Sequence, residues 1–204
     1  MILRCIIILL LTFSSLYSQN YKNAVVSSAN EIASEVGISI LKQGGNAIDA
    51  AVGVAFALAV VYPQAGNIGG GGFIVLRSAE GYETSIDFRE TAPRLSSKNM
   101  YLDSVGNVIA DLSTLGHLAS GVPGSVAGLL YALEKYGTMP REKILSYAIE
   151  LAEKGFKINK ELANSINNNR NDFNKFEGSS KIFGKKFRQN ELFIQADLAN
   201  TLKE

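Results

Sequence analysis

Residues 44–94, GGNAIDAAVGVAFALAVVYPQAGNIGGGGFIVLRSAEGYETSIDFRETAPR, decide the fold. Ala47 to Val61 is an almost unbroken run of small and branched apolar residues. A helix apolar all round is one that protein encloses on most sides. At about 15 residues it is short and Ala/Gly-rich for a membrane span. Asp49 is its only charge and falls in the first turn, where the helix dipole favours an anion. Asn46 is placed to cap the helix, and Pro63 stops it.

Gly66 and Gly69 to Gly72 follow, and a phosphate-binding loop fails there on spacing and order. Neither G-x-G-x-x-G nor G-x-x-x-x-G-K-[ST] fits, and phosphate cradles run strand, loop, helix, whereas here glycines lead from helix to strand. A close approach of two backbones, or a positive φ at a sharp corner, is the expectation. Valine at Gly70 or Gly71 is accordingly expected to disrupt packing between the buried helix and the next strand. Phe73 to Arg77 and Thr84 to Phe88 are expected to pair as a hairpin across Ala79-Glu80-Gly81. Phe73-Ile74-Val75-Leu76 lacks polar alternation and predicts a strand covered on both faces.

Working outward, Ala24 to Ser28 reads as a short strand, followed by a helix from about Glu31 with Ile32, Val36 and Ile40 on one face. Residues 94–120 read as loop, with a turn at Asp103 to Asn107. Ser125 is expected to cap a helix over Val126 to Lys135, a second helix to start near Pro140, and a third near Asn159. Asn164 to Lys175 reads as a surface loop or frayed helix end, and Lys181 to Arg188 as a solvated charge run. Asp197 reads as the cap of a two-turn helix ending at Glu204, which predicts a sequence cut within an element.

Met1 to Ser18 has a basic Arg4, an apolar core from Ile6 to Phe13 and a small, polar end, the outline of a secretory signal peptide. Export to the periplasm or medium, with no stable membrane anchor, is expected. Across 204 residues, 47% are apolar and the net charge is +1, which offers no field to attract nucleic acid. With one Cys, no internal disulfide is possible. His117 is the single histidine, so a Ser-His triad or His-based metal site has little raw material, and His117 reads as structural or exposed. No G-x-S-x-G elbow occurs: Ser125 has Pro123 and Ala127 at the glycine positions. Residue chemistry alone therefore gives an exported α/β domain without an evident catalytic group.

GGNAIDAAVG, AGNIGGGGFIVLR, DFRETAP and GVPGSVAGL, in this order and spacing, resemble the amino-terminal half of a gamma-glutamyltransferase (gamma-glutamyltranspeptidase, glutathione hydrolase). The similarity runs from about Ala24 to the end. It implies an α+β fold, the αββα sandwich of amino-terminal nucleophile hydrolases, of which only the amino-terminal portion is present. Residues 1–18 would then be signal peptide and residues 19–204 the amino-terminal portion of the large subunit. It further implies a precursor that cuts itself into large and small subunits. The small subunit's new amino-terminal Thr attacks the gamma-glutamyl amide of glutathione or a related donor, its own α-amine acting as base. Water or an acceptor amino acid or peptide then takes the acyl group, and no cofactor or metal is implied.

None of Thr12, Thr84, Thr91, Thr114, Thr138 and Thr201 sits in the family's Thr-Thr-His-type context, so no catalytic residue is expected within the chain, which alone should be inactive. One functional residue carries over by the resemblance, Arg89 in Asp87-Phe88-Arg89-Glu90, which in the family grips the α-carboxylate of the gamma-glutamyl group. Arg89 as a structural ion-pair residue beside Glu90 or Asp87 stays open. So do two other functions: a cephalosporin or glutaryl acylase-like amide hydrolase of the same superfamily, and a non-catalytic truncated binding module.

Overall fold

The computed structural model describes residues 22–66 and 68–204. The expected signal peptide at residues 1–18 lies outside them. The first helix, α1 (Glu31–Lys42), is capped by Asn30, whose side chain accepts from the Ile32 N–H. The expected strand over Ala24 to Ser28 is absent: this segment is irregular, with Val26 packed against the helical core. Among the described residues no strand pairs with it, and a short apolar run without a ladder partner gains nothing from extended geometry.

Helix α2 (Ala47–Val61) has the bounds read from its apolar run. Ile48, Val52, Phe56, Val60 and their neighbours are buried against α1 and the later helices, while Ala47 and Ala51 face outward. Small residues thus mark its one open side. Asn46 closes the amino end through a capping box, accepting from Ile48 N and Asp49 N while Asp49 accepts from Asn46 N at 2.8 Å. Three backbone donors at the helix start are thereby satisfied, two by Asn46 and one in return by Asp49.

Strands β1 (Phe73–Arg77) and β2 (Glu83–Asp87) form an antiparallel hairpin with Phe73 opposite Asp87 and Val75 opposite Ser85. The second strand starts one residue before the expected position because Gly81, with φ 88°, already turns the chain. Ile74, Leu76 and Ile86 pack on the core, whereas Phe73 and Val75 are 61% and 87% exposed. The strand expected to be covered on both faces is covered on one, because only one face of the hairpin meets helices among the described residues.

A long irregular stretch follows, pinned at its ends by a Thr91–Val122 bridge and internally by Asp103, which accepts from Val105 N and Asn107 N. Helix α3 (Ser125–Tyr136) leads to α4 (Arg141–Lys154), which packs on α2 and on the last helix. Its cap position is Gly124, not Ser125: the N–H groups of both donate to Gly70 O at 2.9 Å, so the helix start is held by the glycine corner instead of by a side chain. A two-residue ladder pairs β3 (Phe156–Lys157) with β4 (Leu192–Phe193) around the short helices α5 (Lys160–Asn168), α6 (Arg170–Phe173) and α7 (Glu177–Phe183). The stretch from Asn164 is thus more helical than expected. Helix α8 (Ala196–Lys203) buries Ala199 and Leu202, and its cap position is Gln195 instead of Asp197. Asp197 instead lies in the first turn and pairs with Lys181 at 2.9 Å, while Lys185 pairs with Glu191 at 2.7 Å, so those lysines of the basic run are exposed and paired. The described residues are α+β: a helical core with the β1–β2 hairpin packed on it, and the two-residue β3–β4 ladder.

Candidate functional site

Arg89 lies two residues past β2, on a loop that three glycines hold in place. Gly72 and Phe88 exchange backbone hydrogen bonds, extending the hairpin by one pair, and Thr91 and Val122 close a bridge two residues beyond Arg89. A side chain at Gly71 would meet Phe88 O at 2.6 Å, Glu90 N at 2.8 Å and Arg89 Cα at 2.9 Å. Gly124 takes the other flank, where an added Cβ would overlap the Phe88 carbonyl, and Gly128 on α3 leaves the space that the Phe88 ring fills. Close backbone approach is therefore the role of the corner, and Gly71 has no positive φ.

The expected clash at Gly71 is thus relocated: it falls on the Arg89 loop, not between α2 and β1. Gly71→Val is expected to cost about 1–3 kcal/mol by overpacking against backbone that cannot rotate away. Gly178→Ala, on α7 with open space around it, should be neutral or raise stability by about 0.5–1 kcal/mol. Thermal midpoints of the two variants in the complete protein check this, and an unchanged Gly71→Val midpoint would remove the clamp.

The Arg89 side chain is 63% exposed. Its backbone N–H donates to Asp87 Oδ1 at 2.9 Å, which shapes the turn, and its Nε donates to Glu90 Oε2 at 3.2 Å. The Glu90 backbone N–H, and then the Arg89 guanidinium, hold the Glu90 carboxyl below the usual glutamate range. The guanidinium carbon lies 5.8 Å from the centre of the Phe73 ring. Among the described residues neither Nη atom of Arg89 makes a hydrogen bond, so one edge of the fork is open. The ion pair with Glu90 exists, but it uses only Nε.

A roomier cleft lies elsewhere among the described residues. About 730 Å³ opens between the His117 turn and helices α5 to α7, and Arg89 does not line it. Its ionisable lining is His117, exposed and edge-on to Phe176, and Asp172, already paired with Lys175 at 2.7 Å. Volume without an available charged group gives weaker grounds for chemistry than an arginine with an open fork. No cluster of three metal-ligating side chains occurs among the described residues.

Sequence reasoning missed the role of Asp49. It is fully buried and accepts from Thr138 N at 2.9 Å, Thr138 Oγ1 at 2.6 Å and Met139 N at 3.2 Å, besides Asn46 N. Burial pushes its pKa up, but the Thr138 hydroxyl and the backbone donors outweigh this and hold it below the usual aspartate value. A charge inside an apolar run was the only local signal. Also missed was Phe73 beside Arg89, which the hairpin register encodes.

A family model described as gamma-glutamyltranspeptidase matches residues 33–204. The glutathione hydrolase proenzyme of a Pseudomonas species is 52% identical over 186 residues, covering 89% of this chain and 32% of that protein. The glutathione hydrolase proenzyme of Escherichia coli is 46% identical over the same shares of both chains. The crystal structure of Helicobacter pylori gamma-glutamyltranspeptidase superposes with a TM-score of 0.88 at 48% identity, over 91% of this chain and 54% of that one. The chain spans about a third of the length of these curated relatives.

Proposed function

The chain belongs to the gamma-glutamyltranspeptidase family, and on that premise we propose that it is the amino-terminal portion of an exported enzyme that transfers or hydrolyses gamma-glutamyl groups. Glutathione and related gamma-glutamyl amides are the donors; water, an amino acid or a peptide is the acceptor. The attacking threonine and the oxyanion donors come from the small subunit of the same precursor, and this chain supplies the grip on the donor. The observation that carries the reading is the open Nη edge of Arg89, on a loop clamped between Gly71 and Gly124.

A planar guanidinium makes two parallel charge-assisted bonds to a carboxylate, geometry that a lysine ammonium lacks. Fixing the α-carboxylate places the gamma-amide at a set distance along the glutamyl chain. Positioning of this kind lowers the entropic part of the barrier. Glu90 supports the reading by occupying Nε, which directs an incoming carboxylate to the opposite, end-on edge.

The complete gene product is expected to release p-nitroaniline from gamma-glutamyl p-nitroanilide, and the 204-residue chain alone to release none. Mass spectrometry of the exported protein is expected to show a mature amino terminus near Gln19, the first 18 residues having been removed. Activity in the isolated chain would refute the division of labour, and an intact Met1 would refute cleavage.

A further inference from the structure

We propose that Phe73 is a positioning residue for Arg89, its ring serving as the platform that fixes the guanidinium for end-on capture of a donor carboxylate. This rests on the carboxylate-gripping reading of Arg89 and adds the question of what holds so exposed a side chain still. The hairpin register supplies the answer. Phe73 lies opposite Asp87, and the extended pair Gly72–Phe88 brings Gly71 opposite Arg89. Side chains two residues apart on a strand share a face, so Phe73, Asp87 and Arg89 stand on the same side of the hairpin. Gly71 presents no side chain there, and the first one that Arg89 meets is its diagonal neighbour Phe73, within reach for long and aromatic residues.

The observed geometry fits that placement. The guanidinium carbon is 5.8 Å from the ring centre, within the range where the negative face of an aromatic ring attracts a cation. Phe73 is 61% exposed, so burial within the described core does not account for a large apolar side chain at this place. Glu90 restrains the Nε side while the ring restrains the guanidinium, and the two restraints act on different parts of the group. What they leave open is the Nη1/Nη2 edge. A lone arginine on a loop would spread over many rotamers and lose that freedom on binding; a braced one has less to lose.

The test uses the complete enzyme and two donors: gamma-glutamyl p-nitroanilide and 4-aminobutanoyl p-nitroanilide, which lacks the α-carboxylate. Phe73→Leu keeps apolar bulk and removes the ring face. It is expected to raise KM for the gamma-glutamyl donor about threefold to tenfold, with KM for the 4-aminobutanoyl donor unchanged. Phe73→Tyr, which keeps the face, should restore KM to within about twofold of the parent. Arg89→Lys is measured beside them. If Arg89→Lys discriminates between the donors and Phe73→Leu does not, the platform is refuted while the grip stands. Equal KM increases for both donors in Phe73→Leu also overturn it, since a general packing defect is blind to the carboxylate. If Arg89→Lys itself fails to discriminate, the grip falls and the platform with it.

Discussion

Asp49→Ala should destabilise the protein more than any other substitution considered for it, by about 3–5 kcal/mol. The carboxylate ties the start of α2 to the turn between α3 and α4, accepting from Thr138 N, Thr138 Oγ1, Met139 N and Asn46 N. Its removal takes the acceptor from several part-buried donors, each loss costing about 0.5–1.5 kcal/mol. Asp49→Asn keeps the shape but turns one acceptor into a donor, and should cost roughly half as much. The effect also has a pH signature. The folded pKa is depressed, so the stabilisation is present above the unfolded value, about 3.9, and is lost as pH falls through the lower folded value. The gap in thermal midpoint between the parent and Asp49→Ala, about 5 °C or more at neutral pH, should therefore narrow below about pH 4. A gap within about 1 °C at neutral pH would show that Thr138 and Met139 find other partners.

Asp49 also marks where the sequence stops being informative. The apolar run of α2, its Asn46 cap and the glycine stretch before β1 are local signals, and the helix and first strand have the bounds that those signals give. Thr138 lies 89 residues from Asp49, and nothing in either neighbourhood names the other. A first-turn acidic residue commonly serves the helix dipole, and that commoner role concealed the longer-range one. The clamp on the Arg89 loop is distributed in the same way: Gly71 is adjacent to the expected corner, but Gly124 and Gly128 come from a helix far along the chain.

Burial was the other quantity that local pattern misjudged. Phe73-Ile74-Val75-Leu76 has the composition of a strand enclosed on both faces, yet Phe73 and Val75 are exposed. Composition reports what a strand tolerates, and the number of covered faces depends on neighbours elsewhere in the sequence. Arg89 was legible as a candidate site only through its motif. Its geometry adds what the motif does not contain: Nε occupied by Glu90, the guanidinium beside Phe73 and an edge left open.

The proposed grip depends on that edge, and Arg89→Lys in the complete enzyme probes it with the charge preserved. A two-bond fork becomes a single mobile ammonium. In the proposed grip the contact forms on binding and persists through the chemistry, so its loss should appear mainly in KM, with a smaller fall in kcat from poorer placement of the amide. Loss of a charge-assisted contact corresponds to a KM about tenfold to a hundredfold higher for gamma-glutamyl p-nitroanilide. The deciding measurement is the ratio of KM values, Arg89→Lys over parent, for that donor and for 4-aminobutanoyl p-nitroanilide. A large ratio for the first and a ratio near one for the second is the predicted result; equal ratios, with a lowered thermal midpoint, would make Arg89 a structural ion-pair residue and contradict it.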